Sequence, residues 1–185
     1  MPLIKYLTGH AAWSSSLRYR DFRLVWGSTL FHSVTTGMEH LAMGWLVLEM
    51  TDSPFMVGLS FAARSAPSFF IGIPAGAIAD RVDRRVFLRY VILGGSLTTG
   101  LIAILLLLEQ AQIWHIMALV LAGGCLNTFI HTVRQAYIYD IVGRSHALNG
   151  LALTGISQRA GGVFGAIVAG VLIATIGAGA QYLVI

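Results

Sequence analysis

The chain has little charge and almost no cysteine. Charged residues make up 11% of its 185 residues and hydrophobic residues 56%, whereas about a quarter of an average soluble domain is charged. A soluble fold of this composition would have too little polar surface. The single cysteine, Cys125, lies in an apolar run, which excludes an intrachain disulfide and a cysteine-based zinc cluster. We therefore expect an integral membrane protein.

The motifs of the common enzyme classes are also missing. The sequence contains no GxSxG elbow, HExxH pair, phosphate-binding P-loop or dinucleotide glycine fingerprint. We therefore expect no enzyme activity, no cofactor, no metal site and no ATP-driven transport within this chain. The basic residues form short clusters at the ends of hydrophobic runs instead of one stripe, so we expect no nucleic-acid partner.

Long hydrophobic runs separated by short polar segments predict an all-α, polytopic transmembrane helical bundle. A span needs about 20 apolar residues, and the chain offers five complete spans and the start of a sixth. We expect residues 1–21 to be a cytoplasmic N-terminal segment and not a removable signal peptide, so the first helix would act as its own insertion signal. The transmembrane domain is predicted at 22–185, with no extramembrane domain and with spans at 22–48, 55–79, 86–108, 113–141, 147–176 and from 181.

The arginines predict the orientation of these spans. Basic clusters precede the first span and follow the second, and Arg144 follows the fourth, whereas the alternate loops contain acids such as Asp52 and Glu109 and no basic residue. The positive-inside rule therefore places the N-terminus in the cytoplasm. The predicted location is the cell inner membrane, with membrane lipid as a partner.

Small residues recur at four-residue spacing in two of the predicted helices. Small residues at this spacing let helix backbones approach closely in lipid. We therefore interpret them as packing positions in preference to substrate contacts. They are Gly72 and Gly76, Gly161 and Gly165, and the series Gly162, Ala166 and Gly170.

Ionisable residues at membrane depth are costly and are candidate functional sites. Glu39 lies about eleven residues and Arg64 about ten from the outer ends of their helices, so at 1.5 Å per residue they share a depth. Either the two charges only neutralise each other, or Glu39 exchanges a proton while Arg64 or a substrate cation competes for it. His32 and Thr36 lie on the same helical face as Glu39.

The fourth and fifth predicted helices carry further polar residues. Asn127 and Arg134 follow one helical face, and Arg134 is close enough to the cytoplasmic end to snorkel. Gln158 and Arg159 lie near the middle of the fifth helix. Arg159 is too deep to snorkel and most needs a partner, which we expect to be an anionic substrate, a lipid headgroup or a part of the protein outside this chain.

The segment GAIADRVDRR resembles the signature loop of the major facilitator superfamily, whose pattern is G-x-x-x-D-R/K-x-G-R/K-R/K. The matching residues are Gly76, Asp80, Arg81, Arg84 and Arg85, and Asp83 replaces the expected glycine. The stretches MGWLVLEMTDSPFMVGL and SAPSFFIGIPAGAIADRVDRR are similar to the branch of that superfamily that contains drug exporters, macrolide efflux proteins and the enterobactin exporter.

This resemblance implies the N-terminal half of a major facilitator fold. It also implies that Asp80 pairs with an arginine near the end of the fourth helix, here Arg134. The fifth helix resembles the glycine-rich signature of family exporters, although Val163 stands where a proline is expected. Such proteins consist of two six-helix halves with the substrate site between them, so a C-terminal six-helix half or a second chain is an implied partner.

The leading hypothesis is therefore a secondary active transporter that exports a drug-like or amphiphilic metabolite in exchange for protons. Its small-molecule substrate is not specified by the sequence. The alternative is a truncated or structural membrane subunit, with a structural or regulatory role, that packs in the bilayer without transporting anything.

Overall fold

The computed structural model describes residues 16–79, 81–177, 181–182 and 184–185 and is all-helical over these ranges. A short 3-10 turn at Ser16–Arg18 precedes five long helices. They are α1 (Arg20–Thr51), α2 (Pro54–Ala79), α3 (Arg84–Leu107), α4 (Ile113–Val142) and α5 (Ala147–Ile176). The expected all-α fold class is thereby confirmed.

Local sequence signals set the helix ends. α1 stops at Asp52, which adopts a left-handed conformation with φ 48°. The side chain of Asp83 accepts hydrogen bonds from the backbone N–H groups of Arg85 and Val86, at 2.9 and 3.0 Å, and so caps α3. Gly177 ends α5 with φ 83°, a backbone conformation that favours glycine.

The helix bounds agree with the predicted spans to within three residues at every end. Of the predicted N-terminal segment, only 16–21 are among the described residues. The sixth helix stays a prediction, because only Gln181, Tyr182, Val184 and Ile185 are described in that region.

Four of the helices, α2 to α5, are long and apolar enough to cross a membrane. α1 has 32 residues and is about 48 Å long, which exceeds the thickness of the hydrocarbon core. Its polar residues, among them His32, Glu39 and His40, make it less apolar than the other four. These side chains line cavities between the helices, so the lower hydropathy of α1 has a structural reason.

Two helix pairs carry most of the packing, α1 with α5 and α2 with α4, and α3 packs against α4. Glycines allow the closest contacts. Gly37 of α1 faces the backbone of Gly162, and Gly165 of α5 faces the backbone of Val34. A methyl group at Gly37 or Gly165 would overlap main-chain atoms, which cannot rotate away. The prediction that small residues of α5 mediate close packing is correct.

The other predicted pair of small residues does not behave in this way. A Cβ at Gly72 or Gly76 would meet no atom of another helix in the described part of the chain. The spacing alone was misleading because it specifies a smooth helix face and not what lies against that face.

Two apolar clusters lie near opposite ends of the bundle. One joins α1, α3, α4 and Tyr182, which is 3% exposed. The other contains Phe22, Ile138, Val142 and Ala147 and joins the start of α1 to the turn between α4 and α5. The polar residues of α1 lie between these clusters.

We expect Gly165→Ala to destabilise the bundle, because the new methyl group would force α1 and α5 apart. Overpacking of this kind costs about 1–3 kcal/mol. Gly155→Ala is the matched control on the same helix, since a Cβ at Gly155 meets nothing within 4 Å. Thermal unfolding in detergent measures both. Equal melting temperatures for the two variants would contradict the proposed contact.

Candidate functional site

Glu39 and Arg64 form a bidentate ion pair between α1 and α2. Nη1 of Arg64 donates to Oε1 of Glu39 at 3.1 Å, and Nη2 donates to Oε2 at 2.7 Å. The two side chains are only 16% and 7% exposed, respectively. The sequence predicted that the two groups share a depth, and the structure places them in contact. Parallel hydrogen bonds of this kind are strong and geometrically specific.

The position of Arg64 depends on its neighbour in α4. A Cβ at Gly124 would overlap the backbone carbonyl of Arg64, so only glycine permits this approach of α2 and α4. Nε of Arg64 is buried and has no hydrogen-bond partner. The Nε–H group is therefore an unused donor beside the ion pair.

The ion pair lines a cavity of about 510 Å³, here called the central cavity. Its wall is formed by α1 to α4 and by Tyr182 and Ile185, and it includes His32, Thr36 and Asn127. Nε2 of His32 and Oδ1 of Asn127 are buried without a hydrogen-bond partner. Unsatisfied buried polar atoms are costly, so these two atoms are available to a polar group or a water molecule in the cavity.

A second cavity of about 750 Å³, the open-face cavity, lies beside the first between α1, α2, α4 and α5. His32 and Thr36 line both cavities. The open-face cavity adds Gln158, whose Nε2 lies 3.3 Å from Nδ1 of His131. Apolar and aromatic side chains, among them Trp45 and Phe61, form much of its remaining wall.

The structure brings six of the seven candidate cavity residues together around these two spaces. They are His32, Thr36, Glu39, Arg64, Asn127 and Gln158. The seventh, Arg159, is exposed on α5, lines neither cavity and pairs with no residue in the described ranges. The partner expected for Arg159, an anionic substrate, a lipid headgroup or a part of the protein outside this chain, therefore stays a prediction.

The signature loop is only partly described. Asp80 lies outside the described residues, so its pairing with Arg134 stays a prediction. Arg81 and Arg85 are exposed. Arg84 forms an ion pair with Asp140 near the end of α4 and also donates to the carbonyl oxygen of Ala136 at 3.2 Å.

Sequence reasoning missed Asp140. The signal was present, because the positive-inside topology puts the end of α4 on the same side as the basic loop. An acid there has arginines within reach. Since the carboxylate is half-exposed, at 51%, this pair contributes little to stability and mainly fixes the position of the loop.

The described residues bring no three His, Cys, Asp or Glu side chains close enough to hold a metal ion. His32, His40 and His131 line the cavities as separate side chains. The site can therefore be described by its hydrogen-bonding groups, its one ion pair and its apolar walls.

The helices and cavities define a multi-pass membrane protein with a polar interior. The sequence profile of the transmembrane secretion effector family matches residues 10–185. The chain therefore belongs to this family of the major facilitator superfamily. This confirms the predicted superfamily and makes the chain part of a transporter family and not of an enzyme family.

Among curated proteins, the chain is similar to the enterobactin exporter EntS of Citrobacter koseri, of Shigella flexneri and of Escherichia coli O1:K1. Each is 28% identical over 163 residues, which are 87% of this chain and 39% of the relative. The chain thus spans about two fifths of the length of these relatives. No solved structure matches it significantly.

We expect Glu39→Gln to destabilise the protein, because it leaves the Arg64 guanidinium buried without a counter-charge. Breaking a buried ion pair costs roughly 3–5 kcal/mol. The double variant Glu39→Gln/Arg64→Gln should recover much of this loss, because it removes both charges. Unfolding in detergent of the unmodified protein, of the single variants Glu39→Gln and Arg64→Gln and of the double variant gives the coupling energy. A coupling energy near zero would mean that the pair does not stabilise the fold.

Proposed function

We propose that this chain is half of a secondary active exporter. It moves a drug-like or amphiphilic metabolite out across the cell inner membrane in exchange for protons. The observation that carries the proposal is the buried ion pair of Glu39 and Arg64 on the wall of the central cavity. Membership of a transporter family supports the general class, and the ion pair supports the coupling mechanism.

All five helices cross the membrane in this proposal. α1 has the length to do so, and its polar residues face cavities. With the N-terminus in the cytoplasm, the arginine-rich turn between α2 and α3 and the turn after α4 lie on the cytoplasmic side. The turns after α1 and α3 carry Asp52 and Glu109 and lie outside.

Coupling requires that Glu39 be either charged or protonated. As a carboxylate, it holds Arg64 through two hydrogen bonds. Once Glu39 is protonated, the Coulombic attraction is lost and the Arg64 guanidinium is free to turn towards an acceptor in the cavity, using donors that include its unpaired Nε. A cationic group of the substrate competes with Arg64 for the same carboxylate, so proton and substrate occupy the site alternately.

The walls of the cavities suit an amphiphilic substrate. A few polar groups, among them His32, Asn127 and Gln158, are set among apolar and aromatic side chains. Pockets of this composition bind the apolar body of a ligand and orient it through a small number of hydrogen bonds. The relatives named as enterobactin exporters support the outward direction.

The open-face cavity and Arg159 require a second body. We propose a C-terminal six-helix half or a second chain, which closes the open-face cavity as in other two-half transporters. Arg159 lies near the middle of α5 without an ion-pair partner among the described residues, and a carboxylate of that second half or of the substrate would compensate its charge.

Glu39→Gln should abolish proton-coupled export by the complete protein, because the site can no longer exchange a proton. Glu49→Gln is the control: it removes the same charge from an exposed position of the same helix. Efflux of a fluorescent amphiphile from proteoliposomes with an imposed pH gradient measures both. Full activity of Glu39→Gln would overturn the proposed coupling. No export by any version that is correctly folded would favour the structural alternative.

The proposed topology is tested by cysteine labelling in a Cys125→Ser background. We expect Ser53→Cys, after α1, to react with a membrane-impermeant maleimide added to intact cells. Val82→Cys, between α2 and α3, should react only after permeabilisation. The reverse pattern would invert the orientation, and equal labelling of both in intact cells would mean that α2 does not cross.

A further inference from the structure

A further cavity, of about 400 Å³, lies between α2 and α4 beside the ion pair of Glu39 and Arg64. We call it the polar cavity, because every described residue of its wall is polar or glycine. Apolar side chains, in contrast, form much of the walls of the central and open-face cavities. Polar groups between transmembrane helices are costly unless water or another polar group satisfies them, so the polar cavity requires such a content.

One end of the polar cavity reaches the ion pair. Arg64 and Asn127 line both the polar cavity and the central cavity, and they therefore form part of the wall between the two. In the described part of the chain, Nε of Arg64 and Oδ1 of Asn127 are buried without a hydrogen-bond partner. Arg64 lies 15 residues before the end of α2, about 22 Å from that end, so its side chain does not reach the turn that follows.

The hydroxyl groups of the wall are arranged to accept hydrogen bonds. Oγ of Ser68 donates to the carbonyl oxygen of Ser65 at 2.7 Å. Oγ1 of Thr128 donates to the carbonyl oxygen of Gly124 at 2.9 Å, and Oγ1 of Thr132 donates to that of Thr128 at 3.0 Å. A hydroxyl oxygen that donates its proton within its own helix keeps free lone pairs, so it can accept a hydrogen bond from water.

The polar cavity extends from the ion pair towards the ends of α2 and α4 that are cytoplasmic in the proposed topology. Gly72, which lines it, is about 12 Å further along α2 than Arg64. A Cβ at Gly72 would meet nothing within 4 Å, in keeping with open space at this position. Ser65 and Ser68 are exposed, so the cavity opens at the surface of the described bundle.

We propose that the polar cavity holds water and carries the proton from Glu39 to the cytoplasmic side. This inference rests on the proposed exchange of the metabolite for protons and adds the path by which the proton leaves. Protonation of Glu39 frees Arg64 to turn, and because Arg64 is part of the wall between the two cavities, its movement connects Glu39 to the polar cavity.

The proton transfer itself involves no redox change. The O–H bond of the Glu39 carboxyl breaks as a bond from the same proton to a water oxygen forms, and the resulting carboxylate pairs with Arg64 again. The titratable side chains that border the polar cavity are His40 of α1, Arg64 of α2 and His131 of α4.

The water content is tested by labelling single cysteines in the complete protein with Cys125→Ser. We expect Ser68→Cys and Thr132→Cys to react with a small charged methanethiosulfonate added to the cytoplasmic face of inside-out vesicles, because the reactive thiolate forms only in contact with water. Leu97→Cys is the control. Leu97 is a 67% exposed apolar residue near the middle of α3, outside the cavities described above, and should not react.

The role in proton transfer is tested with the double variant Thr128→Val/Thr132→Val, which removes two acceptor oxygens while nearly keeping the side-chain shape. We expect proton-coupled export to slow by about tenfold, because water loses hydrogen bonds along the path. Equilibrium binding of the fluorescent amphiphile should not change. Thr175→Val is the matched control, since the Thr175 hydroxyl also donates within its own helix, at 3.0 Å, but lies exposed on α5 away from these cavities.

The outcomes separate this inference from the proposed coupling. Labelling of neither cysteine, or only from the outer face, would overturn the inference whatever the protein transports, and it remains decisive if the double variant does not fold. Normal export by the double variant, with export lost in Glu39→Gln, would overturn the inference alone. Weaker amphiphile binding by the double variant would place substrate in the polar cavity and contradict the proton path. Full export by Glu39→Gln would overturn the coupling, and labelling would still decide whether the cavity holds water.

Discussion

The close contact of helix backbones at glycine is the constraint on which the rest of this structure depends. Gly37 against Gly162 and Gly165 against Val34 hold α1 next to α5, and Gly124 against Arg64 holds α2 next to α4. In lipid the hydrophobic effect does not drive helices together, so close packing of their backbones has to hold them together. A larger side chain at any of these points would overlap backbone atoms of the facing helix and push the paired helices apart.

The buried charges have two different environments. Arg64 has a partner, Glu39, within the same chain and at hydrogen-bond distance. Arg134 is equally buried but has no carboxylate partner in the described ranges, and Arg159 has none either, although it is exposed. Charges at membrane depth are retained where something compensates them. Arg64 and Arg159 therefore mark two proposed partners, a proton-exchanging acid and a second half of the transporter, and the expected partner of Arg134, Asp80, lies outside the described residues.

Much of the fold follows from local sequence, and much of the site does not. Helix bounds were predicted to within three residues because they depend on adjacent residues: apolar runs, the turn residues after α1 and the cap at Asp83. The shared depth of Glu39 and Arg64 was also predictable, since depth is counted along a helix. The pair of Arg84 with Asp140 was missed, and the glycines at 72 and 76 were assigned a close contact that they do not make within the described part of the chain.

The sequence by itself determined that the chain is a helical membrane protein of the major facilitator superfamily, because composition, run length and signature motif are properties of the chain alone. Only the tertiary structure decided which side each helix turns towards its neighbours. The residues of α4 and α5 are apolar on most faces of each helix. The hydrophobic pattern therefore does not specify how each helix is rotated about its own axis. Packing between backbones specifies it instead, and that rotation places Gln158 on a cavity, leaves Arg159 outside and buries Arg134.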